Sequence, residues 1–156
     1  MRRLLISRLI AAPYDVHVFD LDAKEPIDLG VQVHRHHFLS FAYYVADKDC
    51  DLIGTLSPKN FFRDVWEIQD AHSRQRAIVS RQIPEEWFTE YQMATEWKTV
   101  CIFRQNNTVT ATEFVAEFPE ELEGWSESLL ISIPLVLMAS NPLICSVRSE
   151  AQGGSG

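Results

Sequence analysis

The spacing of apolar residues changes along this chain between a period of two and a helical period. The two-residue alternation, carried by β-branched and aromatic residues, predicts strands over 15–21, 31–46, 50–56, 100–104 and 108–115. Turn-forming residues at 47–49 and 105–107 join consecutive strands, so the sequence predicts two hairpins. Residues 4–10 fit a strand or a short helix, and residues 143–147 fit a last strand.

Helical spacing predicts amphipathic helices in three further segments. The first begins at Ser57-Pro58, a hydroxyl cap followed by a proline, and its apolar stripe runs to residue 69. The second covers 74–81. The third begins at Pro84, and its apolar stripe through Ala94 is continued by Trp97 or Lys98. Residues 129–139 are apolar and predict buried core. Because Pro134 costs about 3 kcal/mol in a helix interior, both one helix and two short segments remain open there.

These elements together predict an α+β fold. We expect an antiparallel, hairpin-rich sheet with two or three amphipathic helices packed on it, since strands and helices do not alternate regularly. The 156 residues, 46% of them hydrophobic, suit one globular domain over 1–150. Residues 151–156 have the composition of a linker or tag remnant.

Several features are typical of a cytoplasmic protein. Arg8 interrupts the first apolar run too early for a signal sequence. The longest apolar stretch falls short of the roughly 20 residues that span a bilayer. Cys50, Cys101 and Cys145 are widely spaced, as in proteins with reduced thiols. We therefore predict a cytoplasmic location and no membrane contact.

The negative charge of the chain is concentrated in residues 84–127. That window holds ten glutamates against Lys98 and Arg104, and its charge of −8 equals the formal net charge of the whole chain. A one-sided negative field favours cationic partners and disfavours nucleic acid. Aromatic residues interleaved with the acids are typical of protein interfaces.

This pattern predicts a small acidic binding protein that sequesters or inhibits a basic protein partner, as immunity proteins and phage inhibitors do. The predicted contact residues are Glu117, Glu120, Glu121, Glu123 and Trp125. The alternative is a solvated surface that serves solubility. No cofactor is predicted, and the oligomeric state stays open.

A histidine cluster offers a second hypothesis, a metal-dependent hydrolase. On one extended strand, His34 and His36 share a face about 7 Å apart, close enough to bind one metal ion. His17 or an aspartate would complete the site. The alternative is a polar strand end with exposed histidines, because the spacings typical of zinc sites are missing.

Residues 16–22, an apolar strand that ends in Asp20-Leu21-Asp22, resemble the first motif of the haloacid-dehalogenase phosphatases. The resemblance implies Asp20 as nucleophile and Asp22 as acid/base beside Mg²⁺. It covers seven residues, and Ala23-Lys24 stands where that family has Gly-Thr. The repeated β-α units of that fold are also missing, so we interpret the segment as a strand that ends in an acidic turn.

A third hypothesis is a structural subunit of a larger assembly. In that case the apolar residues 129–139 would pack against another chain. No nucleophile elbow, zinc-protease motif, phosphate loop or dinucleotide fingerprint occurs in the sequence, so no catalytic residue is predicted.

Overall fold

The computed structural model describes residues 1–9, 16–28, 30–35, 41–60, 64–72, 74–84 and 88–140. In this part of the chain, eleven strands form one sheet and one helix follows them. The elements are β1 (Arg2–Leu9), β2 (Val16–Asp20), β3 (Glu25–Ile27), β4 (Val31–Arg35), β5 (Tyr43–Asp47), β6 (Leu52–Pro58), β7 (Val65–Asp70), β8 (Arg76–Pro84), β9 (Phe88–Ala94), β10 (Thr99–Asn107), β11 (Ala111–Phe118) and α1 (Glu127–Ser140).

Every strand pair in the sheet is antiparallel, and the strand order is β3-β2-β1-β11-β10-β9-β8-β7-β6-β5-β4. Strands β4 to β11 therefore follow one another as a meander. The chain start joins it through β1, which pairs with β11 over eight residues, from Arg2 opposite Phe118 to Leu9 opposite Ala111. This pairing brings the N-terminus beside the loop that leads from β11 into α1.

Helix α1 fills the interior of the sheet. Its described side chains from Leu129 to Met138 are buried, except for the half-buried Leu135. A helix that is hydrophobic on all sides must be covered on all sides. The helix contacts β4, β5 and β6 and also β11, strands that lie far apart in the sheet order. The sheet therefore curves around it, and aromatic side chains such as Trp66, Phe103 and Phe114 complete the core.

The α+β prediction with two or three packed helices is wrong. The three segments assigned to amphipathic helices form the end of β6 with β7, then β8, and then β9. Buried side chains alternate along them with half-buried or exposed ones, as in Trp66 and Ile68 of β7 or Ala77 and Val79 of β8. Short apolar runs fit either period, and tertiary pairing decides between them.

The hairpin predictions are partly confirmed. The 50–56 segment forms β6 and pairs with β5 across a turn in which Asp47 Oδ1 accepts hydrogen bonds from the backbone N–H groups of Asp49 and Asp51. The single long strand predicted over 31–46 is wrong, because β4 and β5 are two strands that pair with each other. The turn predicted at 105–107 belongs to β10, and the chain turns three residues later.

The apolar segment 129–139 forms one helix despite Pro134, so the two-segment alternative is wrong. Burial on all sides offsets the cost of the proline, and Ser132 Oγ donates a hydrogen bond to the Leu129 carbonyl. The chain's own sheet covers this helix, which removes the observation behind the subunit hypothesis. Residues 4–9 form part of β1, and residues 10 and 143–147 lie outside the described residues.

Among the described residues, no helix has the length and apolar character needed to cross a membrane.

Candidate functional site

Most described glutamates of the acidic window have a cationic partner. On the outer face of the sheet, Arg104 bridges Glu90 and Glu117 across three adjacent strands. At the start of α1, Glu127 pairs with Arg2, and in the loop 119–125 Glu123 pairs with Lys98. Glu120 pairs with the N-terminal amino group of Met1, whose nitrogen lies 3.6 Å from Glu120 Oε1.

Because of these pairs, fewer glutamates of the acidic window are without a cationic partner than the sequence predicts. Within the described residues, only Glu96, Glu113 and Glu121 of this window have no ion pair. Glu85 and Glu86 lie outside the described residues. The charge excess of the window therefore does not form one continuous acidic lobe, and any recognition of cations falls to a smaller set of carboxylates.

A cleft of about 1180 Å³ lies at the end of the sheet where β8 and β10 begin and β9 and β11 end. Its floor includes Glu67, Ile78, Ile102 and Glu117, which alternate with core side chains along their strands. The β9–β10 turn and the loop 119–125 form its walls. The antiparallel meander places these two connections side by side, although they are distant in sequence.

Four of the five predicted contact residues line this cleft: Glu117, Glu121, Glu123 and Trp125. Glu120 precedes them in the loop and contacts the amino group of Met1, whose residue also lines the cleft. Trp125 is only 6% exposed, and its backbone N–H donates to the Leu122 carbonyl. It anchors the loop to the core, so its prediction as an exposed anchor is wrong.

The exposed aromatic residue of the cleft is Trp97, at 89% exposure. It lies in the β9–β10 turn between Glu96 and Lys98, which also line the cleft. The turn is held by backbone contacts, because Thr95 N donates to Lys98 O at 2.9 Å. The sequence pattern placed Trp97 among the aromatic residues interleaved with the acids and as a possible continuation of a helical stripe, but did not select it as a contact residue. The two-residue alternation that ends at Ala94 was the signal that could have placed it in a turn.

The loop 119–125 forms one side of the cleft, and a hydrogen bond from Gln75 holds it in place. Gln75 Nε2 donates to the Glu123 carbonyl at 2.8 Å. Glu123 and Gly124 both have positive φ, at 50° and 89°, and a Cβ on Gly124 would lie 2.9 Å from Gln75 Nε2. The Glu123 carbonyl can only accept a hydrogen bond, so the side-chain amide of Gln75 turns its NH₂ group towards it. The Oε1 atom of Gln75 is then a buried acceptor without a partner in the described residues.

Basic residues also line the cleft. Arg74 and Arg76 border the cleft where β8 begins, and the backbone N–H of Arg74 donates to Asp70 Oδ1 at 2.7 Å. On the floor, hydrogen bonds from Gln69 and then from Lys59 lower the pKa of Glu67. The cleft therefore has basic residues where β8 begins, a largely paired floor and an acidic rim at Glu96 and Glu121.

Of the histidines in the metal hypothesis, the structure describes His34 and His17, so the predicted pair of His34 with His36 stays a prediction. His34 lies on β4, a terminal strand of the sheet, stacks on Tyr44 at 5.1 Å and contacts Gln32. His17 lies on β2 near the opposite end of the strand order, and His36 lies outside the described residues. Among the described residues, no group of three metal-ligating side chains occurs.

The segment that resembles a phosphatase motif has a structural role. Asp20 is buried, and its Oδ1 accepts the backbone N–H groups of Asp22 and Ala23, both at 2.9 Å. Its Oδ2 accepts from Arg2 Nε at 3.1 Å, and Arg2 continues to Glu127. The Ala23 N–H bond is the main cause that lowers the pKa of Asp20. This carboxylate closes an acidic turn, as interpreted from the sequence, and ties β1 and β2 to the start of α1.

The two described cysteines differ in environment. Cys101 is buried beside Met93, with the two sulfur atoms 3.6 Å apart, and burial raises the pKa of its thiol. A raised pKa disfavours the thiolate that nucleophilic chemistry needs. Cys50 is exposed in the β5–β6 turn, and Cys145 lies outside the described residues.

No protein-family model matches this chain, and no curated protein matches it. Among solved structures, the chain is similar to an X-ray structure of a protein from Arabidopsis thaliana, with 10% identity over 88% of this chain and 90% of that one. The TM-score is 0.45, so this likeness has no bearing on function. The chemistry of the cleft itself is what points to a function.

Proposed function

We propose that this protein is a cytoplasmic binding protein that holds a cationic segment of a partner protein in the cleft at the end of the sheet. The observation that carries the proposal is Trp97, which is 89% exposed on the rim of a large cleft whose carboxylates Glu96 and Glu121 have no ion pair in the described residues. An indole that is left in water on a turn contributes nothing to the core. Its apolar area is available to a ligand.

The chemistry of this rim suits a lysine or arginine side chain. A cation over an indole face gains about 0.5–2 kcal/mol, depending on how far it is desolvated. Carboxylates beside the ring add charge-assisted hydrogen bonds, and those from guanidinium are the stronger and more directional. Trp97 and Glu96 are neighbours in one turn, and Glu121 lines the same cleft from the loop 119–125.

The ion pairs reduce the number of predicted contact carboxylates that are available to a ligand. Glu117, Glu120 and Glu123 already have Arg104, the N-terminal amino group and Lys98 as partners. We therefore assign the main recognition to Trp97, Glu96 and Glu121. The net charge of −8 favours the approach of a basic partner over longer distances. Sequestration of that partner, in the manner of immunity proteins or phage inhibitors, is the mode we propose.

A short cationic peptide tests the proposal directly. Acetyl-tetraarginine amide is titrated at low salt with isothermal titration calorimetry as readout, so that the measurement does not depend on Trp97 itself, and acetyl-tetraglutamate amide is the charge control. We expect saturable binding of the arginine peptide only. Trp97→Ala should weaken it about tenfold, which corresponds to a cation–π contribution of about 1.4 kcal/mol. Glu96→Lys and Glu121→Lys should weaken it by a similar factor.

The opposite end of the sheet offers matched controls. Val109 is 87% exposed in the β10–β11 turn, and Glu113 is a half-buried glutamate without an ion pair in the described residues. Val109→Ala and Glu113→Lys repeat the loss of exposed apolar area and the charge reversal away from the cleft. If they weaken binding as much as the cleft variants do, or if the peptide does not bind, the proposal is wrong.

A further inference from the structure

Lys98 places a positive charge inside the cleft. Its ammonium group forms an ion pair with the carboxylate of Glu123, and both residues line the cleft beside Trp97. The two side chains remain about half exposed, at 49% and 59%. A lysine of the protein itself thus occupies a carboxylate that a cationic ligand would also use.

We infer that Lys98 is an internal competitor for the ligand cation: beyond the main contacts at Trp97, Glu96 and Glu121, a partner cation gains the Glu123 carboxylate only when it displaces Lys98. This inference rests on the proposed function and adds a regulatory contact to the same cleft. Exposed ion pairs contribute only about 0.2–1 kcal/mol, so a ligand cation with additional contacts can replace this one. The competition lowers the affinity for weakly cationic ligands and favours partners with several positive charges.

The loop does not depend on this ion pair for its position. Its backbone is held by Gln75 Nε2 on the Glu123 carbonyl and by the buried Trp125. The turn that carries Lys98 is held through the Lys98 backbone carbonyl, which accepts from Thr95 N. Removal of the ammonium group therefore frees the Glu123 carboxylate and leaves both walls of the cleft in place.

We predict that removal of the positive charge of Lys98 strengthens the binding of a cationic peptide. We expect Lys98→Met to bind acetyl-tetraarginine amide about two- to fivefold more tightly than the wild type, within the range of an exposed ion pair. Lys98→Arg keeps a cation at this position and should leave the affinity near that of the wild type. Lys48→Met, in the exposed β5–β6 turn, gives the same change of net charge away from the cleft and should have no such effect.

A double variant separates local competition from general charge. Glu123→Gln removes the carboxylate for which Lys98 and the ligand compete. In this background, the addition of Lys98→Met should give no further gain in affinity for the arginine peptide. The inference is wrong if Lys98→Met binds no more tightly than the wild type, if Lys48→Met gives the same gain, or if the gain persists in the Glu123→Gln background. Urea unfolding of each variant checks that the fold is unchanged.

The test also distinguishes this inference from the proposed function. If wild-type binding depends on Trp97 and Lys98→Met has no effect, the cleft is the binding site and only the competition is refuted. If neither the wild type nor Lys98→Met binds the peptide, the proposed function is refuted, and the inference with it.

Discussion

The interior around α1 and the rim of the cleft contain the same kinds of large side chain in opposite environments. Trp66 is fully buried on β7, whereas Trp97 is 89% exposed on the turn between β9 and β10. The interior packs around the chain's own helix, whereas in the described part of the chain the indole of Trp97 on the rim stays almost uncovered. Apolar area that the core uses contributes to stability, while apolar area left on a rim is available for recognition.

The two regions also differ in how their charged side chains are paired. Where the sheet meets the start of α1, Asp20, Arg2 and Glu127 form a connected network. Along the rim, Glu96 and Glu121 have no ion pair in the described residues, and Lys98 with Glu123 is an exposed pair. We therefore expect substitutions in the interior to change stability and substitutions on the rim to change binding.

The largest effect is expected from a cavity in the helix core. Leu130 of α1 is fully buried, and Leu130→Ala should lower the free energy of unfolding by about 3 kcal/mol, because transfer and cavity terms add. Urea unfolding followed by circular dichroism measures this. Leu52→Ala is the control, since Leu52 is 48% exposed and should cost less than about 1 kcal/mol. Equal losses would contradict the placement of α1 in the core.

A smaller loss is expected at Gly54, where β6 approaches helix α1 closely. A Cβ on Gly54 of β6 would lie 2.5 Å from Leu129 Cδ1 and 2.6 Å from the backbone carbonyl of Gln69. Gly54→Ala should therefore lower the free energy of unfolding by about 2 kcal/mol through overpacking.

The matched control is Gly30→Ala, because nothing lies within 4 Å of its Cβ position. Its φ of +55° limits the expected cost to about 1 kcal/mol of backbone strain. If Gly54→Ala were the milder of the two in urea unfolding, the close approach of α1 to β6 would be wrong.

The smallest change in stability is expected on the rim. Trp97→Ala should leave the free energy of unfolding within about 0.5 kcal/mol of the wild type, since its side chain contributes almost no buried area. The same variant should bind the arginine peptide about tenfold more weakly. A large loss of stability in thermal or urea unfolding would show that Trp97 packs against the protein, and the contrast between interior and rim would fail.

Part of the fold could be predicted from local patterns. Local patterns identified β2 by its alternation, β6 as the return strand after a turn, and β10 with β11 as a hairpin. In each of these strands one face packs on the core and the other faces outward. The segments that form β7, β8 and β9 were mistaken for helices, since the positions of their apolar residues fit both periods. Only their neighbours in the sheet decided between the two structures.

The candidate site was predicted in part for a similar reason. Glu117, Glu121 and Glu123 were correctly grouped, because they are close in sequence and their loop follows a single strand. Trp97 was missed and Trp125 was mistaken for the anchor, since exposure is a property of the folded chain. The metal hypothesis assumed that His34 and His36 share one face of a strand, and because residue 36 lies outside the described residues that pair stays a prediction.

The sequence by itself determined that the chain has an apolar segment that must be buried and a glutamate-rich window that gives it its net charge. These follow from composition and local order, which folding cannot change. Only the tertiary structure decided that eleven strands enclose that segment, and that cations distant in sequence pair with most of the described glutamates of the window. Burial and ion pairing depend on which residues the fold brings within a few ångströms of one another.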